Sequence, residues 1–103
     1  MSEKFVSPCE LPTAYEREIL TILIEECSEV QQRATKLLRF GRDEIQPGQT
    51  LTNSDRLSLE LGDLACMVEM AERLGLVDSV RIRSGAVNKH DKLTKYLQSK
   101  PVN

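Results

Sequence analysis

Apolar residues recur along the chain with the three-to-four-residue spacing of amphipathic helices. The first such stretch follows Thr13, which forms a capping-box pattern with the glutamate three residues later, and it ends at Gly41. A second stretch begins at Thr52 or Asn53 and ends at Gly75. No stretch shows the alternation of a half-buried strand. The pattern therefore predicts an all-α protein.

Each of these two predicted helices carries one apolar stripe. The first stripe comprises Ile19, Leu20, Leu23, Cys27, Val30, Ala34, Leu37 and Leu38, and the second comprises Leu57, Leu61, Leu64, Val68 and Ala71. Consecutive helices joined by a loop of this length usually pack antiparallel, so we expect the stripes to face each other. The connecting segment, residues 42–53, contains Pro47 and Gly48 and is predicted to be a loop, either a functional lid or a passive connector.

A third helix is predicted from the cap at Asp78 to about Gln98, and its apolar content is thin. Residues 1–12 should form an irregular arm, residues 13–98 the helical domain and residues 99–103 a tail. A second apolar strip on the back of the second helix indicates a subunit interface: Leu59, Cys66 and Met70. We therefore expect an antiparallel helical bundle that is completed by homo-oligomerisation.

Composition narrows the possible classes of protein. The chain has 103 residues, 40% of them hydrophobic, with only two Phe and two Tyr, so an aliphatic core would gain from oligomerisation. A net charge of −2 argues against nucleic acid as a partner. Three cysteines without a CxxC pair and a single histidine argue against zinc or disulfides and favour the cytoplasm. No apolar run has the length of a signal peptide or a membrane span, so no membrane association is expected.

Two carboxylate clusters are embedded in the predicted helices: Glu25-Glu26-x-x-Glu29 and Glu60-x-x-Asp63. At about 100° per residue, Glu26 borders the apolar stripe of its helix and Glu29 flanks it, whereas Glu25 points away. Glu60 and Asp63 occupy the same flank of their own stripe. In an antiparallel pair, equal offsets place both clusters on one side of the pair.

The heights of the two clusters also agree. Glu29 lies about 16 Å before the end of the first helix, and Asp63 lies about 15 Å beyond the start of the second, at roughly 1.5 Å per residue. Four carboxylates would then converge, those of Glu26, Glu29, Glu60 and Asp63. Such hard oxygen ligands favour Mg²⁺, with Mn²⁺ as a possible substitute. The alternative is that the acids form ordinary solvated helix faces.

The ordered set of motifs resembles the MazG-like family of all-α nucleoside triphosphate pyrophosphohydrolases. The segments that carry the resemblance are EECSE, KLLRFG and TNSDRLSLELGDL, within residues 16–98. The resemblance implies that Glu26, Glu29, Glu60 and Asp63 are catalytic residues that hold Mg²⁺. It also implies cleavage of a (deoxy)nucleoside triphosphate to the monophosphate and pyrophosphate by a homodimer or a dimer of dimers.

Substrate contacts are less sharply defined by the sequence. Either Glu29 or Glu25 could accept a proton from the attacking water, and the sequence does not choose between them. The end of the first helix is basic, and the segment Asn88–Lys92 loosely matches an Asn- and Lys-rich signature of the family. The predicted substrate-binding residues are Glu25, Lys36, Arg39, Asn88, Lys89 and Lys92.

Two other functions compete with this one. The same fold could act on phosphoribosyl-ATP or on a modified dNTP. In a different class, the chain could be a non-catalytic helical interaction module whose acids are merely solvated. A nucleotide-panel assay with Mg²⁺ would separate these readings.

Overall fold

The computed structural model describes residues 10–101; residues 1–9 of the predicted arm and residues 102–103 of the predicted tail lie outside this range. Within it the chain forms three helices and no strand, namely α1 (Ala14–Phe40), α2 (Asn53–Arg73) and α3 (Ser79–Tyr96). The prediction of an all-α fold is thus confirmed for the described residues. None of these helices combines the length and apolar character needed to cross a membrane.

Side-chain caps fix where the helices begin. The Thr13 hydroxyl accepts a hydrogen bond from the Glu16 amide at 3.2 Å, and the Glu16 carboxylate accepts one from the Thr13 amide at 2.9 Å. These reciprocal bonds form the predicted capping box. The Thr52 hydroxyl accepts from the Asp55 amide at the start of α2, and Asp78 caps α3. The local sequence therefore specifies all three starting points.

The end of α2 is set by Gly75, which has a φ of +73°. Its amide donates to the Glu72 carbonyl, and the Leu76 amide donates to the Ala71 carbonyl. This is the Schellman arrangement, in which a glycine in the left-handed region satisfies carbonyls that the helix leaves without partners. The chain then turns towards α3.

Helices α1 and α2 run antiparallel. At one end, the Asn53 side chain donates to the Gly41 carbonyl at 2.8 Å, which joins the start of α2 to the end of α1. At the other end, Thr13 and Leu76 line the same cavity. The buried apolar residues of the described chain all lie on these two helices, and they are Ile19, Met67 and Ala71. The pair therefore contains the core.

The apolar stripes are only partly covered. Leu38 and Leu61, both predicted to face the core, are 83% and 46% exposed, and Cys27 and Ala34 are exposed as well. For these four residues the predicted burial is wrong within the chain itself. The physical reason is that, within residues 10–101, α1 and α2 pack chiefly against each other, and one packed neighbour covers a narrower face than a bundle would. Met67, which the predicted stripe omits, is buried instead.

Helix α3 adds nothing to this core, because none of its residues is buried. Its apolar side chains are open to solvent; Val80 is 70% exposed and Val87 is 56% exposed. The radius of gyration is 18.6 Å, against about 13 Å for a compact domain of about 100 residues. The chain is therefore elongated, and among the described residues α3 has no closely packed partner helix.

Candidate functional site

Three carboxylates from the two packed helices converge. Glu60 and Asp63 lie three residues apart and share one face of α2, and the antiparallel packing brings Glu26 of α1 to the same place. One oxygen from each of the three lies within 4.8 Å of the others. Glu26 and Glu60 are half-buried, and Asp63 is exposed. We call these three residues the acidic triad.

The triad perturbs the protonation of its own members. The pKa of Glu26 is raised above its ordinary value of 4.5, chiefly by a side-chain hydrogen bond with Glu60, which requires a proton shared between the two carboxyl groups. Partial burial raises this pKa further, as do the charges of Glu60, Asp63 and Glu29. The neighbouring negative charges therefore disfavour ionisation of Glu26.

No basic side chain of residues 10–101 neutralises the triad through an ion pair. The ion pairs found in that range join Arg33 to Glu29 and Arg73 to Glu69. In addition, Oε2 of Glu60 is buried and has no hydrogen-bond partner. Clustered carboxylate oxygens that lack a positive partner are the donor set that suits a hard divalent cation. The triad could therefore hold a hard divalent cation.

Glu29, the fourth predicted ligand, lies beside the triad but is not one of its members. Its charge contributes to the raised pKa of Glu26, so the two carboxylates are close. Its Oε1 atom forms an ion pair with Nη2 of Arg33 at 3.5 Å, one helical turn further along α1. The structure therefore brings three of the four predicted carboxylates together and leaves the fourth paired with an arginine.

The predicted substrate-binding residues lie in three separate places. Glu25 is exposed on the α1 surface that includes Arg17 and Thr21. Lys36 and Arg39 lie over the Phe40 ring at the end of α1, with Nζ and Cζ at 5.7 Å and 5.1 Å from the ring centre. The remaining three are exposed on α3: Asn88, Lys89 and Lys92. None of the six belongs to the acidic triad.

A cleft of about 250 Å³ opens directly beside the triad, next to Glu60. Arg33 of α1 and Arg56 of α2 line it, together with Leu59 and the loop residues Gln49–Leu51. The predicted substrate-binding residues include neither arginine, although Arg33 adds to the positive charge at the end of α1. A signal was nevertheless present, because Arg33 follows Glu29 by four residues and Arg56 precedes Glu60 by four.

The loop that lines this cleft is held in place by a buried asparagine. Asn53 is only 1% exposed, and its side chain donates to the Gly41 carbonyl at 2.8 Å and to the Glu44 carboxylate at 3.0 Å. The backbone amide of Asn53 donates to the Glu44 carbonyl at 2.9 Å. Within the loop, the backbone amide of Gln49 donates to the Gln46 carbonyl across a turn in which Gly48 has a φ of +78°. The loop is thus built into the fold at both of its ends.

The site therefore sets three carboxylates beside two guanidinium groups. Carboxylates suit a cation and guanidinium groups suit an anion, so the arrangement could hold both side by side. Comparisons of the chain with protein-family models, with curated proteins and with solved structures find no match.

Proposed function

We propose that the protein is a Mg²⁺-dependent nucleoside triphosphate pyrophosphohydrolase, which converts a (deoxy)nucleoside triphosphate to its monophosphate and pyrophosphate. The observation that carries the proposal is the acidic triad. Two of its three residues are half-buried, and none of the three has an ion-pair partner among residues 10–101. The resemblance of the paired acidic motifs to the MazG-like family supports the choice of reaction.

In this proposal Glu26, Glu60 and Asp63 hold the cation, and Glu29, the fourth predicted ligand, lies outside this group and is paired with Arg33. Mg²⁺ supplies charge neutralisation to the phosphate oxygens and lowers the pKa of water; Mn²⁺ could substitute for it. The chain's own contribution is to present oxygen ligands from two rigid helices. A site on helices is better fixed in position than one on loops.

Hydrolysis breaks the linkage between the α- and β-phosphate groups, and the water oxygen ends on one of the two products. The proton lost by water needs an acceptor. Glu29 fits this role better than Glu25, because Glu29 adjoins the triad whereas Glu25 is exposed and lies outside it. We propose Glu29 as the general base, which passes the proton on to solvent.

The direct test is release of pyrophosphate from a panel of nucleoside and deoxynucleoside triphosphates in the presence of Mg²⁺. We expect turnover by the wild-type protein and a loss of about 100-fold or more in kcat/KM for Glu26→Gln and Asp63→Asn, because each change removes a proposed metal ligand. Glu69→Gln is the matched control, since Glu69 is an exposed glutamate on α2 outside the site. Wild-type turnover by both ligand variants would reject their assigned role.

We further propose that a second copy of the chain covers α3 and the exposed parts of the stripes, which gives an antiparallel bundle as a homodimer or a dimer of dimers. The support is the small core of Ile19, Met67 and Ala71, together with a third helix that buries no residue. A monomer at micromolar concentration in analytical ultracentrifugation would contradict this assembly.

A cytoplasmic location is also a proposal. Cys27 and Cys66 are free and exposed within the described range, a state that is typical of a reducing compartment. Fractionation of the producing cell tests it.

A second candidate function is a non-catalytic interaction module, and the unpartnered apolar and basic surface of α3 is the observation that favours it. The nucleotide panel separates the two functions, since an interaction module would release no pyrophosphate. Including phosphoribosyl-ATP and modified dNTPs in the panel tests the remaining alternatives for the substrate.

A further inference from the structure

The cleft beside the triad has a composition that the proposed cation site does not explain. We propose that it is an anion subsite, in which Arg33 and Arg56 bind the two phosphate groups that leave as pyrophosphate. This assignment rests on the proposed function for the identity of the substrate, but the cleft's affinity for pyrophosphate can be measured without any turnover.

The two arginines occupy equivalent places on their helices. Arg33 lies four residues beyond Glu29 on α1, and Arg56 lies four residues before Glu60 on α2. Because the helices are antiparallel, both arginines are displaced towards the same end of the pair; along the helix axis Arg33 lies about 6 Å from Glu29 and Arg56 about 6 Å from Glu60, at about 1.5 Å per residue. A layer of positive charge thus adjoins a layer of negative charge. A linear polyphosphate that reacts at the carboxylates would extend its far end into the arginines.

Burial and charge make the arginines good ligands for phosphate. The side chain of Arg33 is only 21% exposed, and Arg56 is half-buried. Arg56 forms no ion pair with a carboxylate of residues 10–101, and the ion pair of Arg33 with Glu29 is long, at 3.5 Å. Partly desolvated guanidinium groups bind phosphate oxygens through two parallel hydrogen bonds, and such charge-assisted bonds are stronger than neutral ones.

The size of the cleft is compatible with a small anion. Its volume of about 250 Å³ lies below the range of about 300–1,000 Å³ that is usual for whole small-molecule ligands. Two phosphate groups are therefore a better match than a complete nucleotide. Gln49 and Thr50 supply polar groups on the loop side, and Leu59 adds an apolar wall. Asn53 holds the loop in the position where these residues reach the cleft.

Lys36 and Arg39 are the competing candidates for the phosphate chain, but neither lines this cleft. Both lie over the Phe40 ring at the end of α1. The cleft assignment therefore gives the terminal phosphates to the arginine pair rather than to the basic end of α1.

The test uses inorganic pyrophosphate as the probe, titrated calorimetrically into the full-length protein with Mg²⁺ present. We expect Arg33→Gln and Arg56→Gln each to weaken pyrophosphate binding about tenfold or more, since each removes a charge-assisted contact. Arg73→Gln is the matched control; Arg73 also pairs with a glutamate four residues earlier but lies outside the cleft, and its removal should change binding less than twofold. Circular dichroism should show wild-type helix content for all three variants.

Two further readings separate this inference from the proposed function. Mg²⁺ titrated alone should bind to Arg56→Gln within about threefold of wild type, because Arg56, unlike Arg33, forms no ion pair with a carboxylate of residues 10–101. Inhibition of turnover by a nucleoside monophosphate should be unchanged in the same variant. Wild-type pyrophosphate affinity in both variants, or no pyrophosphate binding by the wild-type protein, would overturn the subsite, even if nucleotides are hydrolysed. If no nucleotide is hydrolysed but arginine-dependent pyrophosphate binding persists, the subsite stands and the proposed reaction fails.

Discussion

The packed helices α1 and α2 and the solitary helix α3 all begin at side-chain caps, and all three are longer than an average helix. The pair and α3 nevertheless differ in every property that depends on tertiary contact. The pair contains every buried apolar residue of the described chain and the acidic triad. Helix α3 buries none of its residues. Local sequence is therefore enough to start and stop a helix, whereas a place in the core depends on what packs against it.

The difference also separates two kinds of functional residue. The triad and its neighbouring arginines are positioned by contacts within one chain, so their geometry is defined by the fold described here. Asn88, Lys89 and Lys92 lie on a helix whose position relative to the triad is not fixed by burial in the chain. The proposed assembly would fix the position of α3 and, with it, of these three residues.

The largest expected effect separates the two regions by stability. Ile19→Ala should lower the free energy of unfolding by about 2–4 kcal/mol, because it leaves a cavity in the small core of the pair. Val87→Ala on α3 should change it by no more than about 0.5 kcal/mol in dilute protein, since Val87 is 56% exposed. Urea denaturation at several protein concentrations measures both. A large loss of unfolding free energy for Val87→Ala at the lowest protein concentration would show that α3 is packed within the single chain.

A smaller effect is expected at the junction between α1 and α2. Asn53→Ala removes two partly buried hydrogen bonds of a buried side chain and should cost about 1–3 kcal/mol of stability. The matched change on α3, Asn88→Ala, should stay within about 0.5 kcal/mol, because Asn88 is exposed. Thermal unfolding followed by circular dichroism compares the two. Equal losses would show that the loop is not anchored by Asn53.

The smallest expected effect is a pH dependence of the free energy of unfolding that comes from Glu26, a residue of the packed pair. Because the pKa of Glu26 is raised in the folded state, its protonated form is favoured there. The resulting stabilisation is fully present below the ordinary value of 4.5 and is lost as the pH rises through the raised pKa. Wild type should therefore gain stability relative to Glu26→Gln as the pH falls through this window, in melts without Mg²⁺. If the difference in stability between wild type and Glu26→Gln stays constant across that window, the carboxylates of the triad do not raise the pKa of Glu26.

Much of the helical framework follows from the sequence. The capping box at Thr13, the cap at Thr52 and the stop at Gly75 are local features, and the structure contains each of them. Burial was harder to predict. Leu38 and Leu61 lie on a correct helical period but remain exposed, because periodicity says which face is apolar and not whether a neighbour covers it.

The site shows the same limit. Helical geometry places Glu26, Glu60 and Asp63 on matching flanks, and these three carboxylates do meet. The pairing of Glu29 with Arg33 depends on side-chain conformations that a helical wheel does not contain. The cleft could not be predicted from the sequence, for a different reason. Its walls include Gln49–Leu51, and the path of an irregular loop cannot be read from hydrophobic periodicity.

The central claim is that the acids of α1 and α2 together bind a divalent cation, and calorimetric titration with Mg²⁺ tests it most directly. Saturable binding is expected for the wild type and Glu69→Gln, with affinity at least about tenfold lower in Glu26→Gln and in Asp63→Asn, one variant from each helix. Inorganic pyrophosphate should be included in a second titration, since phosphate oxygens complete many Mg²⁺ sites. If both variants bind Mg²⁺ as tightly as the wild type under both conditions, the triad is not a cation site.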